Sequence, residues 1–140
     1  MPTSSSVRLP LIAALAFLVT PLLAHHSFGA IFDVNQPLTL TGTVTKIEWT
    51  NPHAHIVIDV KAVDGKNETW VLEGYPPTVL ARTGWQRDVT VKVGDTIRGF
   101  GWRARDGSNL MHMRETTLAS GKRLFFGPPA GTGEGAPVAR

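Results

Sequence analysis

The chain contains no cysteine, and that one absence removes disulfides, thiolate zinc sites, iron-sulfur clusters and a cysteine nucleophile. Any bound metal would need imidazole, carboxylate, thioether or a free amino terminus, a donor set suited to copper, nickel or zinc. An excess of one charge is missing too. The 14 basic residues face 11 acidic ones for a net charge of +3, or about +2 without a leader carrying Arg8. The two signs are interleaved, as in Arg103-Ala104-Arg105-Asp106 and Lys61-Ala62-Val63-Asp64. A nucleic-acid partner, which calls for a basic stripe along its phosphates, is therefore not expected. No serine sits in a nucleophile elbow, and Asp33, Asp59, Asp64, Asp95 and Asp106 fall mostly in turns, so the chain reads as non-catalytic. Its apolar runs fall short of the roughly 20 residues of a spanning helix.

What is present begins with a leader. Arg8, an apolar run from Leu9 to Val19 and the exit Pro21-Leu22-Leu23-Ala24 make the three parts of a secretory signal. Residues 1–24 are expected to be removed after Ala24, leaving a periplasmic or secreted protein with no membrane span. The 140-residue length then leaves room for one small domain. A composition of 42% apolar and 18% charged residues suits a folded one.

Residues 25–37 read as a linker. From Leu38 to Ile47 apolar or small residues alternate with threonines, the period of a strand, with Leu38, Leu40 and Val44 facing a core. Asn51-Pro52 breaks it. Ala54 to Val60 places Ile56 and Ile58 on one face and His55, Val57 and Asp59 on the other, with His53 sharing the parity of His55. Asp64-Gly65-Lys66 turns the chain into Glu68 to Glu73, whose Trp70 and Leu72 share a face. Pro76-Pro77 opens a short helix over 78–83 that Gly84 ends. Strands follow at 96–102 and 110–118, with a short final hairpin at 123–126. This order, mainly β with one short helix between strands 3 and 4, is that of a five- to six-stranded OB-like barrel over residues 38–126. The Gly-, Pro- and Ala-rich tail over 127–140 reads as disordered.

Ala24-His25-His26-Ser27-Phe28, Leu40-Thr41-Gly42-Thr43-Val44, Glu48-Trp49-Thr50-Asn51-Pro52-His53-Ala54, Gly84-Trp85 and Asp106-Gly107-Ser108-Asn109 resemble, in that order, a family of small exported bacterial proteins of unknown function. The resemblance spans roughly residues 24 to 127. It implies an exported β-barrel and no particular activity; His55, Met111 and Met113 lie outside its pattern.

All five histidines fall in short clusters: His25 and His26, His53 and His55, and His112 between Met111 and Met113. Cleavage after Ala24 would give His25 a free α-amino group, which chelates together with its own imidazole. A second imidazole from His53 or His55 would complete the three-nitrogen set that copper(II) accepts. Cleavage one residue earlier would make His26 the third residue, the spacing of an amino-terminal copper or nickel site. Met111-His112-Met113 looks like a copper(I) motif, but strand parity puts the methionines on one face, expected to be core, and His112 on the other.

Trp49 and Trp102, beside polar turns, are candidates for an exposed ligand face. The resulting expectation is an exported small-ligand binding protein holding a transition metal such as copper through His25, His26, His53 and His55. The competing reading is an interaction module that contacts an envelope protein or a glycan without metal.

Overall fold

The computed structural model describes residues 28–127. A one-turn helix, α1 (Phe28–Ile31), leads into strand β1 (Phe32–Glu48), followed by β2 (His55–Lys61) and β3 (Asn67–Glu73). Helix α2 (Pro77–Arg82) precedes β4 (Thr96–Ala104), β5 (Leu110–Thr117) and β6 (Arg123–Phe125). The sheet order is β3-β2-β1-β4-β5-β6, and a further pairing of β3 with β5 closes it. That closing pair is parallel, whereas the other five pairings are antiparallel. The mainly β architecture with one short helix between the third and fourth strands agrees with the alternation read along the chain.

β1 serves two partners. Residues 37–43 pair with β4 and residues 43–48 with β2. A register shift between Val44 and Lys46 lies where the strand passes from one to the other, as a bulge bends its strand. The β2–β3 hairpin is held by the Ala62 N–H donating to the Lys66 carbonyl at 2.8 Å and by the Lys66 N–H donating to Asp64 Oδ1 at 3.0 Å. Helix α2 starts on Pro76-Pro77 and ends where the Thr83 hydroxyl donates to the Leu80 carbonyl at 2.9 Å. Its Leu80 enters the core.

Two apolar clusters result from the alternation. The main one takes the inward residues of every long strand, among them Val44, Ile56, Ile58, Leu72, Ile97, Met111 and Met113, with Trp85 and Phe126. The second lies on the other side of the sheet and joins Phe32, Trp102 and Ala104, with Phe28 and Leu110 packed against them. This second cluster corrects the linker expected over 25–37. Its described part is an ordered helical turn and strand, because Phe28 and Phe32 remove apolar area from water by covering β4 and β5. Polar ties reinforce it: the Arg105 N–H donates to the Ile31 carbonyl at 2.8 Å and Arg105 Nε to the Gly29 carbonyl at 2.7 Å. Gly127, placed in the expected tail, is buried with its N–H on the Arg114 carbonyl at 3.0 Å. Residues 128–140 and the leader expected over 1–24 lie outside the described residues. Among the described residues no helix is long and apolar enough to cross a membrane.

Candidate functional site

The site is a row of side chains across β2, β3 and β5. Counting outward from the Asp64-Gly65-Lys66 turn, the β2–β3 ladder sets His55 opposite Glu73. The parallel closure then sets Glu73 beside His112. All three residues are opposite in parity to the core-facing Ile56, Leu72 and Met111, so their side chains share one face. His53 joins them from the turn before β2. Backbone bonds from the Ala54 N–H to the Tyr75 carbonyl (3.1 Å) and from the Gly74 N–H to the Ala54 carbonyl (2.9 Å) hold that turn against the end of β3.

Three imidazoles thus face one carboxylate. His53 Nδ1 donates to Glu73 Oε1 at 2.7 Å, His55 Nε2 stands 3.6 Å from Oε2, and His112 Nδ1 stands 3.9 Å from Oε1. The last two are electrostatic contacts, too long for hydrogen bonds. On its other side His55 Nδ1 lies 3.8 Å from Glu48 Oε2. Glu48 is itself engaged by Lys46, at 2.5 Å. The Glu73 side chain is only 14% exposed and that of His112 only 9%, whereas His53 is 46% exposed. Phe28 meets the His112 ring edge-on at a centroid distance of 5.0 Å, and Phe32 lies 5.2 Å away.

Burial acts to raise the Glu73 carboxyl. The facing imidazoles of His112, His55 and His53 outweigh it and hold the group well below the ordinary carboxylate range. A carboxyl depressed in the folded state binds fewer protons there than in the unfolded chain, so its stabilising contribution is complete above the ordinary value near 4.5 and is lost as pH falls below it. Glu73→Gln is therefore expected to flatten the acid limb of the stability profile. Urea denaturation at about pH 6 and about pH 3 measures this, and an unchanged difference between the two pH values in the variant would contradict it.

The sequence-derived candidates are distributed as follows. His53 and His55 come together on Glu73, while His25 and His26 lie outside the described residues. Trp49 is half-buried against Trp85, with ring centroids 6.3 Å apart. Trp102 is corrected from a candidate for exposure to a buried residue, 1% exposed, because Phe28 stacks edge-on against it at 5.4 Å. The two tryptophans therefore form no open aromatic face. Met111 and Met113 are fully buried in the main core, as their shared parity indicated.

Two site residues escaped the sequence reading. Strand parity puts His112 on the face away from its methionine neighbours, and that face is the one on which it meets Glu73. Glu73 carried a usable signal in the hairpin register, which pairs it with His55. Among the described residues no group of three or more His, Asp or Glu side chains could hold a metal ion as it stands. Residues 13–112 match the model of a family of unknown function, DUF6152. No curated protein matches the chain.

Proposed function

We propose, for a chain that belongs to the DUF6152 family and takes no activity from it, that the protein is an exported, non-catalytic binder of a transition metal ion such as copper. His53 and His55 would hold the ion together with the amino-terminal His25 and His26. The observation that carries this reading is the convergence of His53 and His55 on Glu73 at the place where Phe28 is seated. Phe28 touches His112, and His112 faces Glu73. His26 is only two residues ahead of Phe28 and His25 three. An extended chain covers at most about 3.3–3.6 Å per residue, so the sequence separation of two or three residues from Phe28 is a short one. A carboxylate beside imidazoles also suits a divalent cation, whose charge it offsets.

The test is a copper(II) titration of protein beginning at His25, of the same protein with one added amino-terminal residue, and of a His53→Ala, His55→Ala double variant. One ion per chain is expected for the first, with affinity reduced about 100-fold or more in the double variant. Equal, weak affinities across all three would sink the proposal.

A further inference from the structure

We infer that Glu73 and His112 complete the metal centre with His53 and His55, making a three-imidazole, one-carboxylate site for a divalent borderline ion, zinc(II) or copper(II). This rests on the metal-binding reading above and names its inner ligands from described residues.

Three imidazole nitrogens lie around one carboxylate. His53 Nδ1, His55 Nε2 and His112 Nδ1 stand 2.7, 3.6 and 3.9 Å from the Glu73 carboxylate oxygens. Ligands at 2.0–2.1 Å from a tetrahedral ion lie about 3.3 Å from one another. The observed nitrogen–oxygen spacings bracket that value, and closing the cluster on an ion requires its side chains to shift. His53 is the exposed member and, hydrogen-bonded to Glu73 Oε1 at 2.7 Å, the one that must move.

His112 supplies the independent observation. Both of its ring nitrogens are buried and neither has a hydrogen-bond partner. A buried imidazole left without a hydrogen bond costs on the order of 1–3 kcal/mol. Its ring cannot turn away, because Phe28 and Phe32 hold it from one side. On the other, a Cβ built on Gly127 would come within 2.9 Å of Nε2. Nε2 is thereby closed off by backbone, and Nδ1 is left aimed at Glu73. A fixed, desolvated nitrogen beside a carboxylate, with a second imidazole on the neighbouring strand and a third on an adjacent turn, is the donor set of a zinc(II) or copper(II) centre. Copper(I) would favour thioethers, and Met111 and Met113 are turned into the core.

The experiment titrates zinc(II), copper(II) and, under reducing conditions, copper(I) into the chain beginning at His25 and into its His112→Gln, Glu73→Gln and His53→Ala, His55→Ala variants. Ring-nitrogen NMR of His112 is followed in the unsubstituted chain, so that the result does not depend on whether His112→Gln folds. One divalent ion per chain is expected, weakened at least about 10-fold by either His112→Gln or Glu73→Gln, with a large zinc(II)-dependent shift at His112 Nδ1. Full-strength binding in both of those variants, lost only in the His53 and His55 variant and without a shift at His112, overturns this inference and leaves the broader proposal standing. Copper(I) binding tighter than copper(II) and indifferent to Glu73 overturns the divalent assignment. Absence of binding to the unsubstituted chain overturns both.

Discussion

Replacing Trp102 with alanine is expected to lower the unfolding free energy by about 3–5 kcal/mol, the cost of truncating a large aromatic in a packed cluster. The side chain is 1% exposed. It touches Phe28 at 5.4 Å and Phe100 at 6.1 Å, and its strand neighbours are Pro37 on β1 and His112 on β5. Truncation leaves a cavity under a lid only one helical turn long. The surrounding groups belong to three different strands, so they cannot close the gap without disturbing the sheet. For a domain of this size the melting temperature should drop by more than about 12 °C. Chemical denaturation of Trp102→Ala beside Phe100→Ala checks the assignment, since Phe100 is only half-buried and should cost clearly less. The same variant removes the surface on which Phe28 is seated, so metal affinity should fall with stability. Equal losses for the two variants would mean that the second cluster is not a packed unit.

The second large effect is expected at Gly101. A Cβ there would fall onto the His112 carbonyl oxygen, with the His112 carbonyl carbon 2.8 Å away and the Met113 Cα 3.0 Å away. These are backbone atoms of the neighbouring strand, held by the β4–β5 ladder, and the contact lies where that ladder changes register. Gly101→Ala must therefore push two strands apart rather than displace the tip of a flexible side chain. We expect a loss of about 2–3 kcal/mol. Gly107→Ala is the informative companion. Its added Cβ would meet nothing within 4 Å, but the residue has φ of +77°, so only the backbone conformation is penalised, by about 1–2 kcal/mol. Urea denaturation with an unchanged slope should rank Gly101→Ala as the more damaging. The reverse ranking would contradict the close approach of β4 to β5. Because that approach also sets the position of His112, Gly101→Ala should weaken zinc(II) binding without touching a ligand.

The elements of this protein were legible to the extent that they are local. Alternation in Leu38 to Ile47 and in Ala54 to Val60 identified β1 and β2 and their buried faces. Asp64-Gly65-Lys66 identified the hairpin, and Pro76-Pro77 with Gly84 bracketed α2 to within a residue. Each of these rests on backbone preferences or a period of two that neighbouring residues carry by themselves. The linker and Trp102 were misread for the complementary reason. Whether Phe28, Phe32 and Trp102 are buried depends on a segment folding across strands some 70 residues further along, and no local pattern encodes that.

The candidate site divides in the same way. From the sequence alone come the absence of thiol ligands, the shared parity of His53 and His55, and the opposed parity of His112 and its methionines; the tight turn at Asp64-Gly65-Lys66 carries a signal for the pairing of His55 with Glu73 that the sequence reading leaves unused. Only the tertiary structure brings His112 to that pair. The parallel closure of β3 on β5 joins residues 39 apart in sequence, Glu73 and His112, and such a contact is chosen by how the whole sheet closes around its core. Side-chain parity is a property of the strand, whereas adjacency across the β3–β5 closure is a property of the fold.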